Sequence, residues 1–190
     1  MNLEQPFRTY ESQVVLGAVL GGSSILRPPR GVNHYLAMRG RNDEWLRHKM
    51  AEMPTHFPGG GVARLYGGTW RCSSRCSEAM TQYRAMIFEG PARRPSWNLL
   101  DCLRDVGIAV WFLDGGGRTG RGLRNAYLST SRFGESDELV CEWFESVGVA
   151  GRVSRDGGRS RLVFTVEGTL ELFRIINPCV PLMMAGRILV

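Results

Sequence analysis

The apolar positions of this chain fall into two long unbroken runs and several shorter periodic stretches. Residues 13–22 (QVVLGAVLGG) and 107–116 (GIAVWFLDGG) are apolar on nearly every side and end in glycines. A helix of that kind has no face for water and needs another helix close against it. The two runs lie about 90 residues apart, so each is the obvious partner for the other. Short strand-like segments follow the first run at 24–27 and 34–39, separated by the turn RPPRG. Asn42 can cap a helix whose Leu46, Lys49, Met50 and Met53 share a face, with the lysine stem covering part of the stripe. Two further strands are expected at 62–66 and 69–75, turning at Gly67-Gly68. Ser77 then caps a helix carrying Met80, Tyr83, Met86 and Ile87.

The order begins again after EGPARRP (89–95). Ser96 caps a helical stretch, the second apolar run follows, and 123–130 reads as a strand. Ser136 caps a helix with Leu139, Val140, Trp143, Phe144 and Val147 inward. Strands at 151–155 and 159–166 form a hairpin around Asp156-Gly157-Gly158, and a last helix spans 168–176 before Pro178. The repeated order implies an internal duplication: a first repeat at 1–90, a linker at 91–95 and a second repeat at 96–190. The expected fold class is α+β, with two pseudo-symmetric αββαββα repeats, about eight strands and a central helix pair.

Charge adds a partner. The net charge is +6, and Lys49 is the only lysine among 24 basic residues. Arginine matches phosphate and base edges well, so a polyanion is expected, although a GC-rich gene would also favour arginine over lysine. The acids Asp43, Glu44, Glu52, Asp137, Glu138, Glu142 and Glu145 fall on helices, while arginines fall on strands and turns. The candidate contacts are Arg27, Arg30, Arg39, Arg64, Arg71 and Arg75, then Arg118, Arg121, Arg124, Arg132, Arg152, Arg155, Arg159 and Arg161. Strand alternation predicts that about half of them face the ligand. Arg121 and Arg124, close behind the second apolar run, are expected near its centre.

Metal chemistry finds little support. Cys72 and Cys76 could be half of a zinc site, but no second pair or nearby histidine completes it, and His34, His48 and His56 lack ligand spacing. No apolar run is long enough to span a bilayer. Five cysteines, an odd number, behind an N-terminus without signal character suit an intracellular reducing compartment, whether mitochondrion, chloroplast or bacterial cytoplasm.

Several segments resemble the LAGLIDADG homing endonucleases and maturases in their two-repeat form. They are VLGAVLGGS at 15–23, VWFLDGG at 110–116, TQYRAMIFEG at 81–90, YLSTSRFGESDELVCEWFESVGV at 127–149 and FRIINPCVP at 173–181. The resemblance covers residues 12–189 and implies a saddle of two sheets astride nucleic acid. It also implies a carboxylate at the foot of each central helix, holding divalent metal over the scissile phosphates. Hard Mg²⁺ prefers such oxygen ligands. Here those positions fall on Gly22 and Gly115, which carry no side-chain oxygen, while the neighbouring acid Asp114 is kept. A one-residue shift could make Asp114 the ligand but would turn it roughly 100° around the helix. Asp114 is expected instead to pair with Arg118 or Arg121. The family's central basic residue has no lysine to fill it in the second half.

The expectation is therefore a nucleic-acid-binding descendant that no longer cuts, with no metal and no cofactor, Mg²⁺ being needed only if cleavage is retained. The alternatives are an RNA-facing descendant, either a maturase-like splicing factor or a component of an organellar ribosome or other ribonucleoprotein with protein partners, and an active site-specific DNA endonuclease.

Overall fold

In the computed structural model of the chain, residues 7–188 are described, apart from the side chain of Leu123. The outer ends of the two expected repeats, residues 1–6 and 189–190, lie outside the described residues. The first repeat runs α1 (Tyr10–Gly21), β1 (Ser24–Leu26), β2 (Tyr35–Gly40), α2 (Asp43–Ala51), β3 (Ala63–Arg64), β4 (Trp70–Ser73) and α3 (Glu78–Ile87). A small hairpin follows, β5 (Phe88–Glu89) and β6 (Ala92–Arg93), then the short α4 (Trp97–Leu100). The second repeat runs α5 (Asp105–Gly115), β7 (Gly116–Thr119), β8 (Asn125–Ser129), α6 (Asp137–Ser146), β9 (Gly151–Asp156), β10 (Arg159–Phe164) and α7 (Val166–Ile176).

Both sheets are antiparallel, with orders β1-β2-β4-β3 and β7-β8-β10-β9, so the second half repeats the topology of the first. Together they form a saddle around α1 and α5. These two helices touch through backbone: a Cβ on Gly17 would stand 2.3 Å from the Gly107 carbonyl oxygen and 2.9 Å from Val110 Cβ. One turn further on, a Cβ on Gly21 would stand 2.5 Å from Asp114 Cβ. The pairs Gly17–Val110 and Gly21–Asp114 share one sequence spacing, and that spacing carries Gly22 onto Gly115. The apolar runs thus bury each other, with Val15, Leu16, Ala18, Val19, Trp111 and Phe112 all inaccessible. The buried Gln13 is fully used: its amide donates to the Phe7 and Cys102 carbonyls and its oxygen accepts from Arg104 N–H. Among the described residues no helix is long and apolar enough to cross a membrane.

Several boundaries differ from expectation, each for a local reason. Helix α1 starts three residues early because the Thr9 hydroxyl caps it by accepting from Ser12 N–H. Helix α5 stops at Gly115, and β7 follows at once; its glycines gave no strand signal. The expected linker folds into the β5–β6 hairpin and buries Arg93. Ser136 makes no side-chain cap on α6, and Thr165 rather than the region of Gly168 begins α7. Val147 is exposed rather than inward, since α6 ends at Ser146.

Candidate nucleic-acid interface

Strand pairing decides which arginines the saddle presents. In the first sheet, Leu36, Met38 and Cys72 are buried against the helices, and Met38 pairs with Cys72. Their neighbours on the other face include Arg39, which pairs with Arg71. In the second sheet, Leu162 pairs with Leu128 on the core side, so Arg159, Arg161 and Arg152 face away, beside Tyr127 and Ser129. The guanidinium of Arg161 lies over the Tyr127 ring. Five of the expected arginines therefore share the outer face: Arg39, Arg71, Arg152, Arg159 and Arg161.

Others do not. Arg155 lies on the core side of β9 and holds two helix acids, Asp137 and Glu138, each at 2.9 Å. Arg64 stacks over Trp70 on the side of the sheet that packs against the core. Arg118 pairs with the buried Ala126, which also sets it on the core side of its sheet. Arg121 and Arg124 flank the turn between β7 and β8, at the end of the hairpin remote from α5, not near the centre. Arg30 sits in an exposed turn, and Arg75 lies just past β4 with its backbone N–H on the His56 carbonyl. Arg27 and Arg132 line clefts nearer the axis.

The foot of the helix pair is the chemical centre of the saddle. Two depressions flank it. One, of about 600 Å³, is lined by Gly22, Arg39, Arg41, Asp114, Arg132 and Arg187. The other, of about 500 Å³, is lined by Asp114, Gly115, Tyr127, Arg159, Arg161 and Arg187. Asp114 does not pair with Arg118 or Arg121 as expected. Its carboxylate is held by Lys49 Nζ at 2.8 and 2.6 Å and by Trp45 Nε1–H at 2.6 Å. Lys49 is almost wholly buried, and its ammonium also lies 5.2 Å from the Trp45 ring centre. The only lysine of the chain, expected to cover an apolar stripe, is instead engaged across the repeats by Asp114; the other acid lining the second depression, Asp156, stands opposite Arg159 in the β9–β10 pair.

The carbonyls at the two helix ends are also taken up. Arg132 donates to the Gly22 oxygen at 2.8 Å and Arg187 to the Gly116 oxygen at 2.5 Å. A helix C-terminus carries partial negative charge and favours a cation there. Two such ends meet here, and guanidinium groups neutralise them. Arg41 and Arg187 were missed in the sequence: Arg41 follows the expected strand at 34–39 and Arg187 lies beyond the last expected helix.

A family model described as the LAGLIDADG DNA endonuclease family matches residues 12–172. The chain belongs to this family. No curated protein matches it in sequence. Among solved structures, the LAGLIDADG chain resembles the homing endonuclease I-WcaI bound to its DNA recognition sequence, with a TM-score of 0.81 at 14% identity, covering 95% of this chain and 86% of that one. It also resembles I-DmoI in complex with DNA and Mn, at TM-score 0.58 and 12% identity, covering 87% and 95%. The N-terminal LAGLIDADG domain of DUF199/WhiA matches at TM-score 0.57 and 14% identity, covering 99% and 92%.

The LAGLIDADG family implies a divalent metal, and the residues at the helix feet do not fit one. Gly22 and Gly115 offer no side-chain oxygen, and the Asp114 oxygens are occupied by Lys49 and Trp45. Gly22 has φ +133°, a conformation that a side chain rarely adopts, and a Cβ on Gly115 would stand 3.0 Å from the Gly21 carbonyl. Among the described residues no cluster of three or more His, Cys, Asp or Glu could hold a metal ion. The Cys72–Cys76 half-site is not assembled either: Cys72 is buried, which pushes its thiol up to about 11, and Cys76 is exposed.

Proposed function

We propose that this protein binds duplex nucleic acid across the saddle, in first place DNA, and does not cleave it. The observation that carries the reading is the composition of the helix feet. Glycines stand where the family's acids are expected, the remaining acid is neutralised by a buried lysine, and arginines cover both helix ends. Such a centre attracts phosphate, and neither helix foot offers a free carboxylate to hold an activating metal or to take a proton from water; Asp156, which also lines one depression, stands on β9 opposite Arg159. The five outward arginines of the two sheets extend the same basic surface along the saddle. The fold shared with DNA-bound I-WcaI supports DNA as the ligand.

The test is incubation of the protein with a randomised duplex library and 10 mM-scale Mg²⁺ or Mn²⁺, selecting bound sequences and sequencing the ends. Bound duplex with intact ends is expected. Metal-dependent cuts with a defined overhang at one site would overturn the reading. Tighter retention of structured RNA than of any selected DNA would transfer it to an RNA-facing role.

A further inference from the structure

A third cleft, of about 540 Å³, opens beside β1 and the β5–β6 hairpin. Its charged wall consists of Arg27, Arg84, Arg93 and Arg132, with His34 beside them, and among the described residues no carboxylate lines it. Arg93 is the telling member. It is 4% exposed, yet among the described residues no acid holds it. One of its terminal nitrogens donates to the Ser23 carbonyl at 2.6 Å, its guanidinium lies 5.6 Å from the Phe88 ring centre, and its Nε–H has no hydrogen-bond partner among the described residues. A buried guanidinium is normally paired, because an ion taken out of water must recover its lost hydration from partners. Here burial, and after it the charges of Arg132 and Arg84, pull Arg93 down to about 10. His34 is lowered by the same causes, burial first and then Arg84 and Arg27.

The other three arginines are only partly committed. Arg27 donates Nε–H to the Gly31 carbonyl at 2.8 Å, Arg84 lies over the Phe88 ring and donates to the Gly90 carbonyl, and Arg132 donates to the Gly22 carbonyl. These carbonyl and ring contacts orient the guanidinium groups without cancelling their charge. Four like charges around one cleft repel one another, and an anion placed between them would relieve the repulsion and supply the missing acceptor.

We propose that this cleft is a phosphate-binding site, completed by an oxyanion that takes up the free Arg93 Nε–H. Arg132 borders both this cleft and the depression at the foot of α1. A phosphate seated here would therefore continue the basic surface of the saddle towards the junction of the repeats. Only the source of the phosphate rests on the nucleic-acid reading; the site itself does not.

The experiment has two arms. In the first, thermal unfolding is followed with inorganic phosphate against sodium chloride of equal ionic strength. Phosphate at about ten times its dissociation constant should raise Tm by about 3–6 °C. The rise should vanish in Arg93→Gln and in the double variant Arg27→Gln/Arg84→Gln; the latter alters no buried side chain and keeps the test available if Arg93→Gln fails to fold. In the second arm, duplex DNA affinity is measured against salt. A contribution to backbone contacts should flatten the log–log slope by about 0.9 per lost arginine in the double variant. The control Arg47→Gln/Arg174→Gln, which removes the same charge from helix surfaces, should leave the slope unchanged. A phosphate-specific rise without a slope change identifies free phosphate as the ligand. A slope change, with or without that rise, identifies the nucleic-acid backbone. No phosphate-specific rise and no slope change would overturn the site. Failure of wild-type protein to bind any duplex would remove the nucleic-acid reading while leaving the first arm to judge the cleft.

Discussion

Lys49 and Asp114 show how one residue pair can join two repeats and at the same time occupy a site. Their side chains are 2% and 12% exposed and are joined by two contacts below 3 Å. Removing one partner leaves the other charge buried and uncompensated. Lys49→Met or Asp114→Leu alone should therefore cost about 3–5 kcal/mol, while the double change should recover most of that loss. Urea unfolding of the three variants tests this; additive losses would mean that the two groups are independent. Asp137 supplies a pH test at the same scale. Burial alone would raise its pKa, but bonds from Ser160 and Arg155, the Arg155 charge and the Glu138 N–H together hold it below the ordinary carboxylate value. A carboxyl depressed in the folded state stabilises above its unfolded pKa of about 4 and loses that contribution as pH falls through its folded value. Arg155→Gln should thus move the acid-unfolding midpoint to higher pH, read by far-UV circular dichroism. Asp114 stood out in the sequence as the retained acid, but its partner did not. Lys49 lies far away along the chain, and its position on an apolar helix face read as a covering stem.

Helices and strands were legible to different depths. The two apolar helices were visible because a run without a polar face must be buried twice over, and α1 and α5 do bury each other. Their crossing depends on glycine at the contact. Gly17→Ala should already destabilise by about 1–3 kcal/mol, because the new Cβ would meet the Gly107 carbonyl at 2.3 Å and backbone cannot step aside. Gly61→Ala, where a Cβ meets nothing, is the control. Equal melting temperatures for the two variants would refute the close crossing. Strand β7 was hidden because Gly116 and Gly117 carry neither β-branching nor alternation. The faces of the arginines were hidden for another reason. Alternation says that neighbours point opposite ways, but only the pairing register says which way, and it took the Leu162–Leu128 pair to turn Arg161 outward and Arg155 inward.

At the scale of the whole molecule, the net charge of +6 acts through its arrangement rather than its sum. Four of the helix acids are answered locally by arginine: Asp43 by Arg47, Glu171 by Arg174, and Asp137 with Glu138 by Arg155. Among the described residues the outward arginines of the sheets make no such ion pair, which leaves their positive charge on the outer face of the saddle. Two double variants of equal charge separate arrangement from sum. Arg71→Gln/Arg159→Gln takes one arginine from the outer face of each sheet, whereas Arg64→Gln/Arg155→Gln takes one from the core side of each. If the saddle is the binding surface, the first pair should weaken duplex affinity and flatten the log–log salt slope by about 1.8, at 0.9 per phosphate contact, while the second should change the slope little. Fluorescence anisotropy across 50–200 mM-scale salt measures both. Equal slopes for the two variants would mean that binding follows net charge alone, and the opposite order would place the nucleic acid on the helical side of the sheets.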